Sequence, residues 1–506
     1  MIQQRDVIKE FKVIGRSLRT DAMKVLLTFL KQQENPEDVL KTISNKIASQ
    51  VTSDGFIDVQ SINIAISELT KTETEHLSNF INVFGAFDTP LLRFDASRKL
   101  YYTDQARKGY LSTVKEKTDM LRERLQIVRQ RVLRNDAFCP PILEYSKQPY
   151  IKITSIESLI GTTDPCILLG SLYRGDKDDL YIEDLNGRVQ CNISKTKWNK
   201  GIFTENCIVI AEGYMEDDVF MITQIGFPPS ESRAQSLSLL KQISILDFAP
   251  NKAQNEYKST MMVILQEVFL DEQNVLTRLD ILFKGIAEVH STPLFIFIGN
   301  FISKDHSLEG ESFDPSYVKS AFDSFSNIIQ KYPEIAEKSR FIIIPGPHDV
   351  GNNNLIPQNR IPHFFTSKLE QVCKNITFTT NPCRIRYFTQ EIVIFKDELI
   401  KKFRNNYLKI YEEKDVDYIE LLVKTIMEQS HLCPLPANVS SPIYKYDPFL
   451  RLFPLPDILV LADHHSGYIR GFEDCNVVSP GLFSADSTFL VYRPLEDKAE
   501  FSVIDT

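Results

Sequence analysis

A handful of carboxylates and imidazoles in this 506-residue chain fall at the carboxyl ends of apolar segments that read as strands. In chain order they are Glu267 in Glu267-Val268-Phe269, the amide Asn300 in Gly299-Asn300-Phe301, His348 in Gly346-Pro347-His348-Asp349, and Asp463 and His465 in Ala462-Asp463-His464-His465. His431 stands alone after Gln429-Ser430. In open α/β sheets ligands collect beyond the carboxyl ends of the strands, so this is where chemistry would be found. Carboxylate and imidazole donors suit divalent cations. Two such ions roughly 3.5–4 Å apart, sharing a bridging carboxylate, clamp both oxygens of a phosphoryl displacement.

The elements that must position these residues form an α/β pattern over 258–506. Apolar strands are predicted at 260–265, 294–298, 341–344 and 457–461, with helical stretches at 316–331 and 416–429 between them. Further strands are expected at 385–395 and 489–492. Upstream, residues 151–229 switch to period two, with five short strand candidates at 166–173, 179–184, 188–193, 207–214 and 219–226. Asn186-Gly187 reads as a type I′ hairpin turn between two of them. Five strands in so short a stretch predict a small closed barrel of the OB kind. Seven Lys and Arg against twelve Asp and Glu, with one tryptophan (Trp198), favour a structural or protein-binding barrel over an autonomous single-strand binder.

Residues 1–88 read as an N-terminal helical bundle. Thr20 can cap a helix over 21–30, Pro36 opens the next, Val39, Leu40, Ile43 and Ile47 repeat at helical spacing, and helices are expected at 59–69 and 73–84. Residues 89–150 are expected to be a basic linker. Over 91–135 there are twelve Lys and Arg against five Asp and Glu, a local charge of +7. Within it Leu121, Leu125, Val128 and Val132 share one helix face, while Arg122, Arg124, Arg129, Arg131 and Arg134 fall mostly elsewhere, as on a solvated linking helix packed by its apolar stripe. Contact with DNA phosphates or an acidic partner is the alternative. A second linker is expected at 230–257.

A net charge of −9 argues against whole-surface attraction to nucleic acid or anionic membrane, while leaving room for a local basic patch. The N-terminus has no apolar core of the secretory kind, and the most apolar runs, 293–299 and 341–345, are far shorter than the roughly 18 residues of a membrane span. Eight scattered cysteines without a C-x-x-C pair predict buried thiols in a reducing compartment. These readings imply a cytosolic or nuclear globular protein with no membrane association.

The strand-end order resembles the calcineurin-like metallophosphoesterases, whose strand ends carry D-x-H, G-D-x-x-D, G-N-H-[DE], a separate His and G-H-x-H. His348, His431 and His465 fall where that pattern wants histidine. Phe269 stands in place of a histidine ligand, Asn300 in place of the bridging aspartate, Pro347 in place of a ligand asparagine and Asp463 in place of another histidine. Glu267 for aspartate is tolerable but cannot restore the bridge. The resemblance therefore implies an inactive sandwich with no catalytic residue, no metal ligand and no cofactor. A single ion held by Glu267, Asp463, His431 and His465 is the alternative to histidines hydrogen-bonded in an inherited cleft.

A barrel followed by a degenerate phosphoesterase domain resembles the B-subunits of the eukaryotic replicative DNA polymerases alpha, delta and epsilon. The likeness is carried by Thr379-Thr380-Asn381-Pro382-Cys383-Arg384-Ile385, by His431-Leu432-Cys433-Pro434-Leu435-Pro436, by Leu455-Pro456-Asp457-Ile458-Leu459-Val460, and in the barrel by Ala211-Glu212-Gly213-Tyr214 and Gly226-Phe227-Pro228-Pro229. Phe84-Gly85-Ala86-Phe87-Asp88 continues it, and the helical N-terminal region favours the epsilon branch. The resemblance implies a nuclear, non-catalytic scaffold for chromosomal replication and DNA repair. Its expected partners are the zinc-bearing C-terminal region of the catalytic subunit and, through an N-terminal domain like the lid of AAA+ proteins, the GINS part of the replicative helicase. DNA would be met mainly through the complex. A metallophosphoesterase with an altered site and a single-strand DNA-binding protein are the competing readings.

Overall fold

The computed structural model describes residues 81–104, 109, 111–140, 150–175, 179–240, 261–289, 291–303, 314–351, 355–411 and 416–504, with scattered positions among the first 80. The chain divides into two units, 1–80 and 81–506. In the first, Val7, Phe11, Ala22, Leu26, Leu40 and Ile43 are helical and buried, and Ser17–Leu18 pairs in parallel with Phe56–Ile57. This part is thus not purely helical. The helix expected at 59–69 lies outside the described residues. Where a helix is expected over 73–84, the described end is instead a strand, Ile81–Gly85. It pairs antiparallel with Cys383–Tyr387, so the first unit ends at residue 80, not 88. Alternating β-branched and aromatic side chains suit it to that edge, where the Arg386 guanidinium lies 5.2 Å from the Phe84 ring centre.

The α/β part of the second unit holds two six-stranded sheets. One runs Asn375–Phe378, Arg340–Ile344, Leu294–Ile298, Met262–Gln266, Thr488–Arg493, Lys498–Val503, with the first four parallel. Its central strands are apolar on both faces because both are covered. Phe295 stacks on Phe341 at 5.1 Å, and Phe283 and Phe325 pack on them from the helices Gln273–Glu288 and Pro315–Gln330. Asp314 caps the second of these helices and Pro315 opens it. The other sheet runs Tyr468–Phe472, Cys475–Ser479, Ile458–Ala462, Gln390–Lys396, Cys383–Tyr387, Ile81–Gly85. The single strand expected at 385–395 is a hairpin that turns at Phe388, whose φ is +51°.

All five expected barrel strands are present, as Cys166–Arg174, Leu180–Glu183, Arg188–Asn192, Ile208–Glu216 and Val219–Gly226. The barrel closes where Val219–Gly226 pairs with Arg188–Asn192. The Asn186-Gly187 turn is not type I′, since neither residue has positive φ. Asp184 instead accepts the amides of Asn186 and Gly187 at 2.8 and 2.9 Å, an Asx turn that removes the need for left-handed backbone.

The expected linkers carry structure. Leu91–Asp95 and Leu100–Asp104 form a hairpin, and Arg233–Leu240 is a helix. The helix Val114–Arg134 starts at a Thr113/Glu116 capping box and lays Leu125, Val128 and Val132 on Leu169 and Ile208 of the barrel. It is not a solvated linker, for Glu123, Arg124 and Arg131 are buried. Arg131 donates to Glu428 O at 2.6 Å, Pro228 O at 3.3 Å and the Ser430 hydroxyl, while Arg134 forks onto Glu231 at 2.7 and 2.8 Å. Glu123 accepts from Arg451 at 3.0 Å, Arg93 at 3.2 Å and the Phe94 amide at 2.8 Å. The helix is therefore a bolt between the barrel and the α/β sheets. Glu123→Ala should strip Arg451 of an acceptor and destabilise the chain by about 3–5 kcal/mol in chemical denaturation. A loss below about 1 kcal/mol would mean that the relay is not a lock.

Candidate functional site

The strand ends do converge, but on a lysine. Glu267 follows Met262–Gln266 in left-handed backbone, φ +53°, with its carboxylate 3% exposed. Lys396 ends the neighbouring sheet's strand and places Nζ 2.8 Å from Glu267 Oε1, itself 2% exposed. His464 Nδ1 lies 2.9 Å from Glu267 Oε2. The same lysine charge acts on two further buried acids, Asp349 and Asp463. Burial pushes Asp349 up to about 6, although its two oxygens accept the Phe301 and Gly346 amides at 2.8 and 2.7 Å. Asp463 is raised by burial too, and accepts the Ile400 and His464 amides at 2.7 Å each.

The predicted residues are dispersed within this frame. Asn300 Oδ1 accepts the His348 amide at 3.0 Å, and His348 Nε2 turns to Glu398 at 3.2 Å. Phe269 packs against the hydrophobic core and Pro347 is half-buried. His465 is half-buried, with Nδ1 beside the carbonyl and hydroxyl of the adjoining Ser466 and its ring edge-on to Tyr468. His431 is held elsewhere. Its Nδ1 accepts the Cys433 amide at 3.1 Å, which leaves the proton on Nε2 for Asp447 Oδ1 at 3.0 Å. Both imidazole nitrogens are thus spent, and burial with the Arg124 charge holds the ring neutral, down to about 4.

The residues do not fit a metal centre of the kind the resemblance would bring. Glu267 is neutralised by Lys396, both oxygens of Asp463 and Asp349 are taken by amides, and His431 and His465 face other partners. Among the described residues no three His, Cys, Asp or Glu side chains are grouped to hold a metal ion. The four-residue alternative of Glu267, Asp463, His431 and His465 is not assembled. Lys396 and His464 are the residues that ligand patterns overlook, while Asp349 falls at the acidic position of G-N-H-[DE]. A signal exists in Ile392-Val393-Ile394-Phe395-Lys396-Asp397, where charge follows directly on a buried strand.

The barrel offers no free stacking platform around its tryptophan. Trp198 packs edge-on against Phe203 at 4.8 Å, and Phe203 stacks on Phe227 at 4.3 Å.

Residues 262–470 match the family of DNA polymerase alpha/epsilon B-subunits, and residues 114–229 match the OB-fold domain of DNA polymerase epsilon subunit 2-like proteins. The second range begins at the long helix, in accord with its packing on the barrel. DNA polymerase epsilon subunit 2 of Homo sapiens is 32% identical over 98% of this chain and 97% of its own length. The chain belongs to the DNA polymerase epsilon subunit 2 family. The DNA polymerase epsilon B-subunit of Arabidopsis thaliana is 30% identical, over 99% of both chains, and that of Schizosaccharomyces pombe 28%, over 94% of this chain and 84% of its own. A solved archaeal phosphodiesterase matches at 10% identity and TM-score 0.26, over 48% of this chain and 99% of that one, too slight a likeness to bear on function.

Two measurements check the site. Lys396→Ala should leave Glu267 buried without its ammonium and cost about 3–5 kcal/mol, most of it recovered in the Lys396→Met/Glu267→Gln double variant. An additive double variant would refute the coupling. For His431, unfolded histidine takes up its proton near 6.5 and the folded one only near 4. Its contribution is therefore complete above 6.5 and is lost as pH falls from about 6.5 to 4. Over that window wild type should lose about 3 kcal/mol relative to His431→Gln in urea unfolding.

Proposed function

We propose that the chain is a non-catalytic accessory subunit of the DNA polymerase epsilon complex, acting as a scaffold for the catalytic subunit. The near-complete match to relatives named as subunit 2 carries the reading. The strand-end chemistry supports the non-catalytic half of it. One buried ammonium takes the place beside Glu267 that a phosphoesterase would give to metal, and one monocation cannot polarise a phosphoryl group as two dications do. Glu267, Phe269, Asn300, Pro347, His348, His431, Asp463 and His465 are then relics of an inherited cleft. The barrel's acidic balance and buried aromatics fit protein contact better than capture of a single strand.

The finer roles follow the family resemblance. The barrel and the α/β sheets are proposed to hold the zinc-bearing C-terminal region of the catalytic subunit, and the first 80 residues, as an AAA+ lid-like domain, to reach the GINS part of the helicase, in the nucleus. Affinity capture of the tagged full chain from nuclear extract should bring down the catalytic subunit and GINS in stoichiometric amounts. Capture without the catalytic subunit, or manganese-stimulated hydrolysis of an aryl phosphate that His348→Ala abolishes, would replace the scaffold with the metallophosphoesterase reading.

A further inference from the structure

A separate cleft of about 680 Å3 lies between the helix Val114–Arg134, the barrel and the 431–447 stretch. Its lining includes Arg124, which is 8% exposed. Arg124 Nη2 is buried with no hydrogen-bond partner, and among the described residues none of the arginine's nitrogens has one. That sets it apart from Arg131, Arg134, Arg233, Arg384 and Arg451, each of which is bonded. The acid that acts on it most, Asp447, gives its two oxygens to His431 and to Arg451 Nε at 2.8 Å. Arg451 itself adds a second positive charge. A guanidinium removed from water without an acceptor is costly, and buried polar groups are ordinarily satisfied. A guanidinium of this kind in the wall of an open cleft can be satisfied by an acceptor from outside the chain.

We propose that Arg124 anchors one carboxylate side chain of a partner polypeptide that seats in this cleft. The planar guanidinium fork matches a carboxylate or a phosphate equally well, so the surroundings decide between them. Four basic and four acidic side chains line the cleft, which leaves no net positive field for a phosphate chain. Leu121, Leu435 and Pro436 supply apolar wall on which the residues flanking one acid can pack. A single acidic side chain in an otherwise apolar segment satisfies both the orphan donor and the walls. The proposal rests on the accessory-subunit reading for its partner, the polymerase catalytic subunit.

Arg124→Gln and Arg124→Lys in the full chain test it, in titrations against the catalytic subunit and in melting of the chain alone. Removing an uncompensated buried charge should leave the melting temperature of the chain unchanged or higher, while weakening the complex at least about thirty-fold. Arg124→Lys, which keeps the charge and loses the fork, should fall between. A lowered melting temperature for Arg124→Gln, or unchanged affinity, would overturn the anchor. A wild-type chain that does not bind the catalytic subunit would instead remove the accessory-subunit reading. Sodium acetate and sodium phosphate, compared at constant ionic strength, separate the two anions without any partner. Acetate should stabilise the wild type saturably and Arg124→Gln not at all. Stabilisation by phosphate alone would overturn the carboxylate assignment.

Discussion

Glu123, Arg451, Asp447 and His431 make a buried relay that joins two stretches of chain some 300 residues apart in sequence. Arg451 reaches Glu123 through Nη2 at 3.0 Å and Asp447 through Nε at 2.8 Å, and Asp447 takes the His431 proton at 3.0 Å. Arg93 of the hairpin adds to Glu123 at 3.2 Å. Such a network contributes little net stability, because each charge must first be stripped of water. Its value is register. The apolar stripe of Leu125, Val128 and Val132 could lie on Leu169 and Ile208 with the helix shifted by a turn. A shift would leave Glu123 or Arg451 buried and unpaired, so only one position of the helix against the sheets is tolerated.

The relay also explains why His431 does not join the strand-end residues. With Nδ1 bound to the Cys433 amide and Nε2 to Asp447, His431 cannot serve any group near Glu267. Positive charge at the strand ends is supplied by Lys396, whose ammonium faces Glu267 and acts on Asp349 and Asp463. The lysine thus compensates, from within the chain, the acids gathered at the strand ends. The left-handed Glu267 backbone is strain of the kind found at working sites, retained here by the ion pair that holds the side chain.

What the sequence revealed follows from how far apart the cooperating residues are. The strands Leu294–Ile298 and Arg340–Ile344 are buried on both faces and announce themselves as unbroken apolar runs. The helix Pro315–Gln330 is announced by Asp314-Pro315. Ile81–Gly85 is hidden because the strand that makes it a strand, Cys383–Tyr387, lies some 300 residues on, and a five-residue run cannot outweigh a helical neighbourhood. Asn186-Gly187 marks the hairpin between Leu180–Glu183 and Arg188–Asn192 correctly but not its turn type, because a nearer acid, Asp184, takes the same amides. The helix Val114–Arg134 reads as solvated because binary patterning sends every arginine to water, whereas Arg131 and Arg134 find acceptors on the α/β side and on Glu231. Lys396 escapes because a search for ligands does not look for the cation that replaces what they bind.

The barrel is secured from two sides. Its Ile202–Thr204 segment pairs with Tyr407–Ile410, Thr204 Oγ1 donates to Pro434 O at 3.0 Å, and the Gln429 amide brackets both the N–H and the C=O of Ile208. Each of these contacts satisfies a barrel group that would otherwise need water or a ligand. On the helix side Leu169 and Ile208 are sealed by the apolar stripe. A barrel secured from both directions cannot open a groove without leaving several polar groups unpaired, each at a cost comparable to a lost hydrogen bond. The open cleft beside Arg124 lies at a seam where barrel, helix and the 431–447 stretch meet. A partner that binds there contacts all three at once, and its affinity then depends on the same register that the Glu123–Arg451 relay enforces.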